Sequence, residues 1–592
     1  MRYHALACDF DGTLARDGLV PEATMAALER VSRSGRRLLL VTGRELDDLL
    51  AVFPHADLFD MIVAENGGVL YDPGRRSLHP LAEAPPPEFV ERLRAAEVRP
   101  LGVGHVLVST REPHDRTVLA AIRDLGLELQ VVYNKGAVMV LPPAVNKASG
   151  LTAALRRLRV SAHNVVSVGD AENDHAMLRL SECGAAVANA LDAVKEHCDL
   201  VLRRSHGEGV ADLAAALVDS DLRGVAITRH DILLGTADGA AVTVPPYGTA
   251  LAVAGPSGSG KSTATSALLE RLGQAGYQYC VVDPEGDYTD FEDAAVLGDP
   301  TRAPTVDEAL RLLEQPERDV VVNLLAVPLR DRPAFFAELL PRLAGMRGRT
   351  GHPHWTVVDE AHHLMPPELA EPPVRDLHDI GGLMMITVHP ETLSRHVLAL
   401  LGTVIAVGDD PSVTLRSFAS ALGRPEPRLP AGSGEADPEP SPITVWDTRE
   451  DEARRLRLTP SEAQRTRHRR KYAAGTMSRD KSFYFTGPEG RMRLRARNLQ
   501  TFLEIAEGID DDTWMHHLRR HDYSRWLEDS VRDSELAGLV RAAEDAGELD
   551  ARTSRERVSG LVNERYTLPA EPTRYDPDHD DDAPDPGSGA PR

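Results

Sequence analysis

The stretch Asp9–Thr13, reading DFDGT, closes the short apolar run Tyr3–Cys8 and decides how the first third of the chain is read. Side chains alternate along a strand, so Asp9 and Asp11 fall on one side at its carboxyl end. Two carboxylates that close repel unless one takes a proton or a cation lies between them. Magnesium is the cation an oxygen pair of this kind suits. Gly12 permits the sharp turn that brings backbone N–H groups to an anion. Taken alone, Asp-x-Asp-Gly reads equally well as a solvated turn.

The residues further along decide between the two. The run "RRLLLVTG" places Thr42 at a second strand tip, and Lys147 in "VNKASGL" opens a helical pattern. "NVVSVGD" ends at Asp170, with Asn173 and Asp174 in the following "GDAENDHAM". Alternation of short apolar runs with helical patterns predicts an α/β domain over residues 1–220, a parallel sheet with helices on both faces. Within it, "EAPPPE" reads as a linker into a segment with its own strand and helix signals, an inserted cap at about 83–145. Open parallel sheets bind ligands beyond the carboxyl ends of their strands. A nucleophile, a hydroxyl, a cation and metal-binding carboxylates then gather at one edge, the parts that phosphoryl transfer needs.

The order "DFDGT … VTGR … NK … GDAEND" resembles the four motifs of the haloacid dehalogenase (HAD) superfamily, and "AENGG" (64–68) and "VANAL" (187–191) are similar to its Cof-type subgroup. The resemblance covers about residues 3–218. It implies a Rossmann-like domain with an inserted α/β cap and a magnesium-dependent phosphomonoesterase. Asp9 would attack phosphorus to form an aspartyl-phosphate, and Asp11 would protonate the leaving oxygen and then activate water. Thr42 would hydrogen-bond the phosphoryl oxygens, and Lys147 would neutralise their charge and hold Asp9. Asp170 would bind magnesium with Asp9 and the backbone carbonyl of Asp11, supported by Asp174 and Asn173. An acid at position 11 implies phosphatase rather than dehalogenase chemistry, and the large cap implies a sugar phosphate or similar small phosphomonoester.

A second α/β pattern runs over 222–425. There "GPSGSGKST" follows "ALAVA" and precedes a helical pattern, the context in which G-x-x-x-x-G-K-[ST] is a phosphate-binding loop rather than a Gly/Ser-rich linker. Gly255, Gly258 and Gly260 free backbone N–H groups to wrap phosphates, Lys261 reaches the β- and γ-phosphates, and Ser262, with Thr263 behind it, meets magnesium. "HWTVVDEAHHL" ends a buried strand in Asp359, placed for the magnesium shell, and Glu360, placed to polarise an attacking water; a kinase has no need of that second acid. His389 in "TVHP" reads either as a γ-phosphate sensor or as a structural strand-end residue. With "VVDPEGDY" (281–288), "VVDEAHHL" (357–364) and the lead-in 231–244, the region resembles HerA/FtsK-like ATPases. That resemblance implies ATP as ligand and a homo-oligomeric ring with an arginine lent by a neighbour; Arg347 and Arg349 read either as that arginine or, equally, as surface charges. No LSGGQ-like signature points to an ABC ATPase.

The 592 residues suit about three domains. A formal net charge of −24 argues against a broadly basic nucleic-acid-binding surface. Cys8, Cys183, Cys198 and Cys280 have no metal or disulfide spacing, and no signal peptide or membrane span is visible, so a cytoplasmic protein is expected. Residues 426–458 read as a linker and trailing segment, 459–570 as a mostly helical domain with Trp514, Leu518, Trp526 and Leu527 in its core, and 573–592 as a disordered acidic tail. His517 and His521 read as a metal pair or as capping residues, and "RTRHRRK" (465–471) as a phosphate contact or a solvated linker end. The sum is a small-molecule phosphatase fused to an ATPase. The alternatives are a nucleic-acid end-processing kinase–phosphatase, a DNA-translocating motor with an accessory phosphatase domain, and a nucleotide-gated scaffold.

Overall fold

The structure, a computed structural model, describes the chain except residues 238, 257–258, 290, 292–293, 366–380, 394, 409, 430–441, 460–481, 532, 547–549 and 567–592. Gly258, most of the stretch read as a linker, the basic run 465–471 and the acidic tail 573–592 therefore lie outside the described residues. Residues 1–460 form one compact unit and 461–592 another. No helix among the described residues is long and apolar enough to cross a membrane.

The first unit opens with an eight-stranded sheet. Its parallel part comprises β1 (Ala5–Asp9), β2 (Arg37–Val41), β3 (Met61–Ala64), β10 (Val165–Gly169), β11 (Cys183–Ala186) and β12 (Leu200–Val201). β1 lies between β10 and β2, which brings Asp9, Thr42 and Asp170 to adjacent strand tips. These runs are mostly apolar because helices cover both faces: all five residues of β1 and of β10 are buried. The expected parallel sheet is extended by an antiparallel pair, β4 (Val69–Asp72) and β5 (Ser77–Pro80). The cap is a four-stranded antiparallel sheet of β6 (Gly102–Val103), β7 (Val108–Arg111), β8 (Gln130–Asn134) and β9 (Ala137–Leu141), with helices Pro87–Ala95 and Asp115–Asp124 packed around its own core.

An eleven-stranded sheet follows, in the order β14-β13-β23-β22-β21-β15-β20-β19-β16-β18-β17. The parallel strands are β15 (Ala250–Ala254), β16 (Tyr279–Asp283), β17 (Ala294–Leu297), β18 (Asp319–Asn323), β19 (Trp355–Val358), β20 (Gly382–Thr387) and β21 (Thr403–Ala406). β20 separates the loop strand β15 from β19, which leads into Asp359. The lead-in forms the hairpin of β13 (Ile232–Ala237) and β14 (Ala240–Val244). The trailing part of the 426–458 segment carries two strands, β22 (Pro442–Asp447) and β23 (Ala453–Arg457), which continue the sheet antiparallel from β21. Trp446 drives this: its indole is fully buried, and its Nε1–H donates to Glu450 O at 2.8 Å. In "ARRLR" buried Ala453 and Leu456 are separated by exposed Arg454 and Arg455, so the strand lacks the regular alternation that would mark it in the sequence.

The two sheets meet at the amino ends of their strands. Asn164, just before β10, donates to Tyr247 Oη at 2.8 Å and to Gly351 O at 3.3 Å. The His163 ring stacks on Tyr277 with centroids 3.8 Å apart, and Tyr277 Oη donates to Glu182 at 2.7 Å. Arg347 is buried in the same joint, where it donates to the carbonyls of Pro353 and His354 at 2.8 and 3.0 Å. Burial there removes it from the surface on which a neighbouring subunit could use it, while Arg349 is exposed.

The second unit contains the hairpin of β24 (Phe483–Phe485) and β25 (Leu494–Ala496) followed by helices, around an aromatic core that includes the expected Trp514, Leu518, Trp526 and Leu527. His517 and His521 serve separate structural contacts. Nδ1 of His517 lies 2.9 Å from Asp522 and its Nε2 accepts Thr486 N–H at 3.0 Å, whereas His521 lies 3.4 Å from Glu544. Trp446→Ala should cost the first unit roughly 3–5 kcal/mol in denaturant unfolding, as for a large core truncation. A loss under about 1 kcal/mol would mean that β22 is not seated in the sheet.

Candidate functional site

The groups expected from the phosphatase-like motifs converge beyond the carboxyl ends of β1, β2 and β10. Lys147 is the first residue of helix Lys147–Leu158, whose start is fixed by a capping box in which Asn146 accepts from Ala148 and Ser149 N–H. Its buried ammonium donates to Asp9 Oδ1 at 2.6 Å and to Asp174 Oδ1 at 2.5 Å. The other oxygen of Asp174 accepts Asp170 and Ala171 N–H, both at 2.9 Å, so both Asp174 oxygens are engaged in holding the loop. Burial, then the charge of Asp174, pushes Asp9 above the usual carboxylate range, with Lys147 opposing. Burial alone would lower Lys147, but the charges of Asp174 and Asp9 outweigh it and hold the ammonium above the usual lysine range.

Oxygens of Asp9, Asp170 and Asp174 lie within 4.8 Å of one another. Three carboxylates here meet two ammonium groups, Lys147 and Lys135, and Asn173 Oδ1 is buried nearby with no hydrogen-bond partner. An all-oxygen donor set with excess negative charge fits a hard divalent cation. Asp11 stands outside this cluster. Its carboxylate takes a two-pronged contact from Arg44, Nε at 2.6 Å and Nη2 at 2.7 Å, and it is half exposed. Thr42 is fully buried, its hydroxyl accepting Arg44 N–H at 3.1 Å. Asn189, from the "VANAL" segment, donates to Gly12 O at 2.8 Å and steadies the DFDGT turn, where Gly12 has φ +85°.

Three contributors escaped sequence reasoning. Lys135, at the turn of the β8–β9 hairpin, reaches down from the cap to Asp170 Oδ2 at 2.5 Å. Arg44 ends the quoted "VTGR" but carried no assigned role. Glu65 is wholly buried and accepts the N–H groups of His105, Val106 and Leu107 at 3.0, 2.7 and 3.0 Å, which pins the turn between β6 and β7 of the cap to the body. Between cap and body lies a cavity of about 550 Å³, lined among others by Asp9, Arg44, Arg111, Asn134, Lys135 and Asp170.

The second constellation lies at the carboxyl ends of β15, β19 and β16. Gly260 has φ +101°, a conformation that favours glycine, and it turns the loop into helix Lys261–Gln274. Lys261 curls back to the carbonyls of Gly255 and Pro256 at 3.1 and 3.0 Å, and burial lowers its pKa. Ser262 is exposed at the helix start, with Thr263 half-buried beside it. Asp359 is buried, and burial followed by the charges of Glu360 and Asp283 raises it well above the usual carboxylate range. Glu360 follows in a left-handed conformation (φ 42°), rare for this residue type, and burial and then the charge of Glu285 raise it too. His389 sits just past β20, its ring 5.7 Å from that of His362. Asp283, which sequence reasoning left without a role, shapes the "VVDPEGDY" turn by accepting four backbone N–H groups, from Glu285 to Tyr288.

Comparison with known proteins places the chain by family. The family model described as haloacid dehalogenase-like hydrolase matches residues 6–99 and 101–213. The model described as helicase HerA, central domain, matches residues 247–342. Phosphoglycolate phosphatase of Methanothermobacter thermautotrophicus is 32% identical over 216 residues, covering 35% of this chain and 96% of the relative. Phosphoglycolate phosphatase of Halobacterium salinarum is 32% identical over 221 residues, covering 34% of this chain and 92% of the relative. Among solved structures, a haloacid dehalogenase-like hydrolase from Bacteroides thetaiotaomicron matches at 19% identity and a TM-score of 0.33, covering 36% of this chain and 99% of that one. Through its first 220 or so residues the chain belongs to the haloacid dehalogenase-like hydrolases, as a phosphatase of the Cof type, and it carries a HerA-like P-loop domain behind them.

Lys147 is the counter-charge for two buried carboxylates. In the presence of a chelator, Lys147→Met should lower the unfolding free energy of the first unit by about 3–5 kcal/mol near neutral pH, and adding Asp174→Asn should recover part of it. A single-mutant loss below about 1 kcal/mol would contradict the arrangement.

Proposed function

We propose that the chain is a magnesium-dependent phosphatase for a small phosphomonoester bearing a second negative group, fused to an ATP-hydrolysing module. The observation that carries the first half is the convergence of Asp9, Asp170 and Asp174 on one point beneath the capped cavity, with Lys147 between two of them. Asp9, Asp170 and the backbone carbonyl of Asp11 would hold Mg²⁺, with Asp174 behind them, and the ion would offset negative charge on the phosphoryl oxygens. Asp9 attacks phosphorus and forms an aspartyl-phosphate as the ester bond breaks. Once turned from Arg44 and protonated from solvent, Asp11 gives that proton to the leaving oxygen, and the resulting carboxylate then takes a proton from the water that hydrolyses the aspartyl-phosphate. Thr42 donates to a phosphoryl oxygen, and Lys147 keeps Asp9 aimed.

The cavity supports a small substrate, and its cations support an anionic one. Arg44, Lys135 and Lys147 are all paired with carboxylates of the site, whereas Arg111, on β7 of the cap, lines the cavity with no ion pair among the described residues. The relatives named phosphoglycolate phosphatase suggest a carboxylate as the second anion, for which Arg111 is a suitable fork.

In the HerA-like domain, Gly255, Gly258, Gly260, Lys261 and Thr263 would cradle the ATP phosphates, Ser262 and Asp359 would hold its Mg²⁺, and Glu360 would polarise water. Ring assembly is the partner state that resemblance suggests. The nucleic-acid end-processing alternative is disfavoured because the two sites lie at the far ends of strands that start from a common joint, so they share no surface for one end.

Asp9→Asn should abolish phosphate release from phosphoglycolate and leave ATP hydrolysis intact, and Lys261→Ala should do the reverse. If either change removes both activities, the division of labour is wrong. Arg111→Ala should raise KM for phosphoglycolate about tenfold, the cost of one charge-assisted contact, with kcat kept and p-nitrophenyl phosphate little affected. Equal loss on both substrates would remove the carboxylate reading.

A further inference from the structure

A second cluster of metal-ligating side chains lies at the opposite, amino-terminal edge of the first sheet. His163 sits in the turn before β10, Glu182 immediately before β11, and His230 in the connector that leads to β13. One ligand atom from each lies within 4.8 Å of the other two. None of them belongs to the phosphatase or the P-loop constellation.

The hydrogen-bonding pattern around the cluster is incomplete without a cation. Nε2 of His163 lies 2.7 Å from Ala275 O, a carbonyl that can only accept, so that nitrogen carries hydrogen. Nδ1 of the same ring then faces another acceptor, Glu182 Oε2, at 2.7 Å. Nε2 of His230 is buried, has no hydrogen-bond partner, and lies 3.9 Å from that same Oε2. A second proton on His163 would satisfy its bond to Glu182 but would leave His230 Nε2 orphaned. A cation among the three satisfies all of them at once. The surroundings also match what holds metal ligands in place: a backbone carbonyl on the far nitrogen of His163, and Tyr277 Oη and Arg2 donating to Glu182.

We propose that His163, Glu182 and His230 bind a borderline divalent ion of the zinc class that clamps the joint between the phosphatase and the ATPase domains. Two imidazole nitrogens and one carboxylate select zinc or cobalt over magnesium, which prefers oxygen. Four ligands at about 2.0–2.1 Å stand roughly 3.3 Å apart, so His163 and Glu182 would open slightly and His230 would close in. Water takes the fourth place. The ion ties the phosphatase body to the connector, and through Ala275 and Tyr277 to the ATPase side.

The test is Co²⁺ titration of the full-length chain, stripped with chelator and held in excess Mg²⁺ to fill all-oxygen sites. A single equivalent should give intense visible d–d bands, displaced by Zn²⁺, and Zn²⁺ should raise the melting temperature. His230→Gln, at a position part exposed and remote from both active sites, should weaken Co²⁺ binding by at least about tenfold and abolish the zinc-dependent thermal shift while leaving phosphate release unchanged. Absence of visible bands from the wild-type chain overturns the proposal whatever the variant does. It is equally overturned if His230→Gln leaves the bands unchanged while Asp170→Asn removes them, which would place the cobalt in the phosphatase site.

Discussion

The buried ammonium of Lys147 is the contact on which the phosphatase half of the molecule turns. It links Asp9 at the tip of β1 to Asp174 in the loop after β10, and so closes the sheet edge that repulsion among carboxylates would otherwise open. Paired buried charges contribute little net stability compared with apolar packing, but breaking one is costly, so such a pair specifies geometry more than it adds strength. The rest follows from that geometry. Asp174 is free to hold the Asp170 loop because one of its oxygens is already fixed, and Asp170 is then left facing Asp9 and the cap lysine Lys135.

Parallel sheets impose the larger plan. In each domain the chemistry sits at the carboxyl ends of the strands, which frees the amino ends for domain packing. Here the amino ends of both sheets are used for the same joint, through aromatic and histidine side chains that bury polar groups in pairs: Asn164 with Tyr247, Glu182 with Tyr277, His163 with Ala275. The strands β1 and β10 run from that joint to Asp9 and Asp170, and β16 and β19 run from it towards Asp283 and Asp359. The two active sites thus lie at the far ends of two separate sets of strands that start from one joint.

How much of this was legible in the sequence depended on chain distance. Asp9, Thr42, Lys147 and Asp170 were readable because each is a polar residue terminating an apolar run or opening a helix, a signal carried by a few neighbouring residues. The phosphate-binding loop was readable for the same reason. Lys135, Glu65 and Arg111 were not, because their roles depend on how the cap sheet is seated on the body, and no local pattern encodes that seating. The joint residues His163, Glu182 and His230 come from three segments and meet only through the packing of two domains. β22 and β23 were lost for a different reason. They follow a Pro- and Gly-rich stretch, and the strand signal in "ITVW" and "ARRLR" is short and half polar.

Rapid-quench labelling decides whether Asp9 is the nucleophile of the phosphatase centre. Full-length protein is mixed with ³²P-labelled phosphoglycolate and Mg²⁺, stopped in acid within milliseconds, and digested. Transient label should appear on the peptide containing Asp9 before free phosphate, stable in acid and released by hydroxylamine. Turnover without label on that peptide, or label on another residue, would contradict that role.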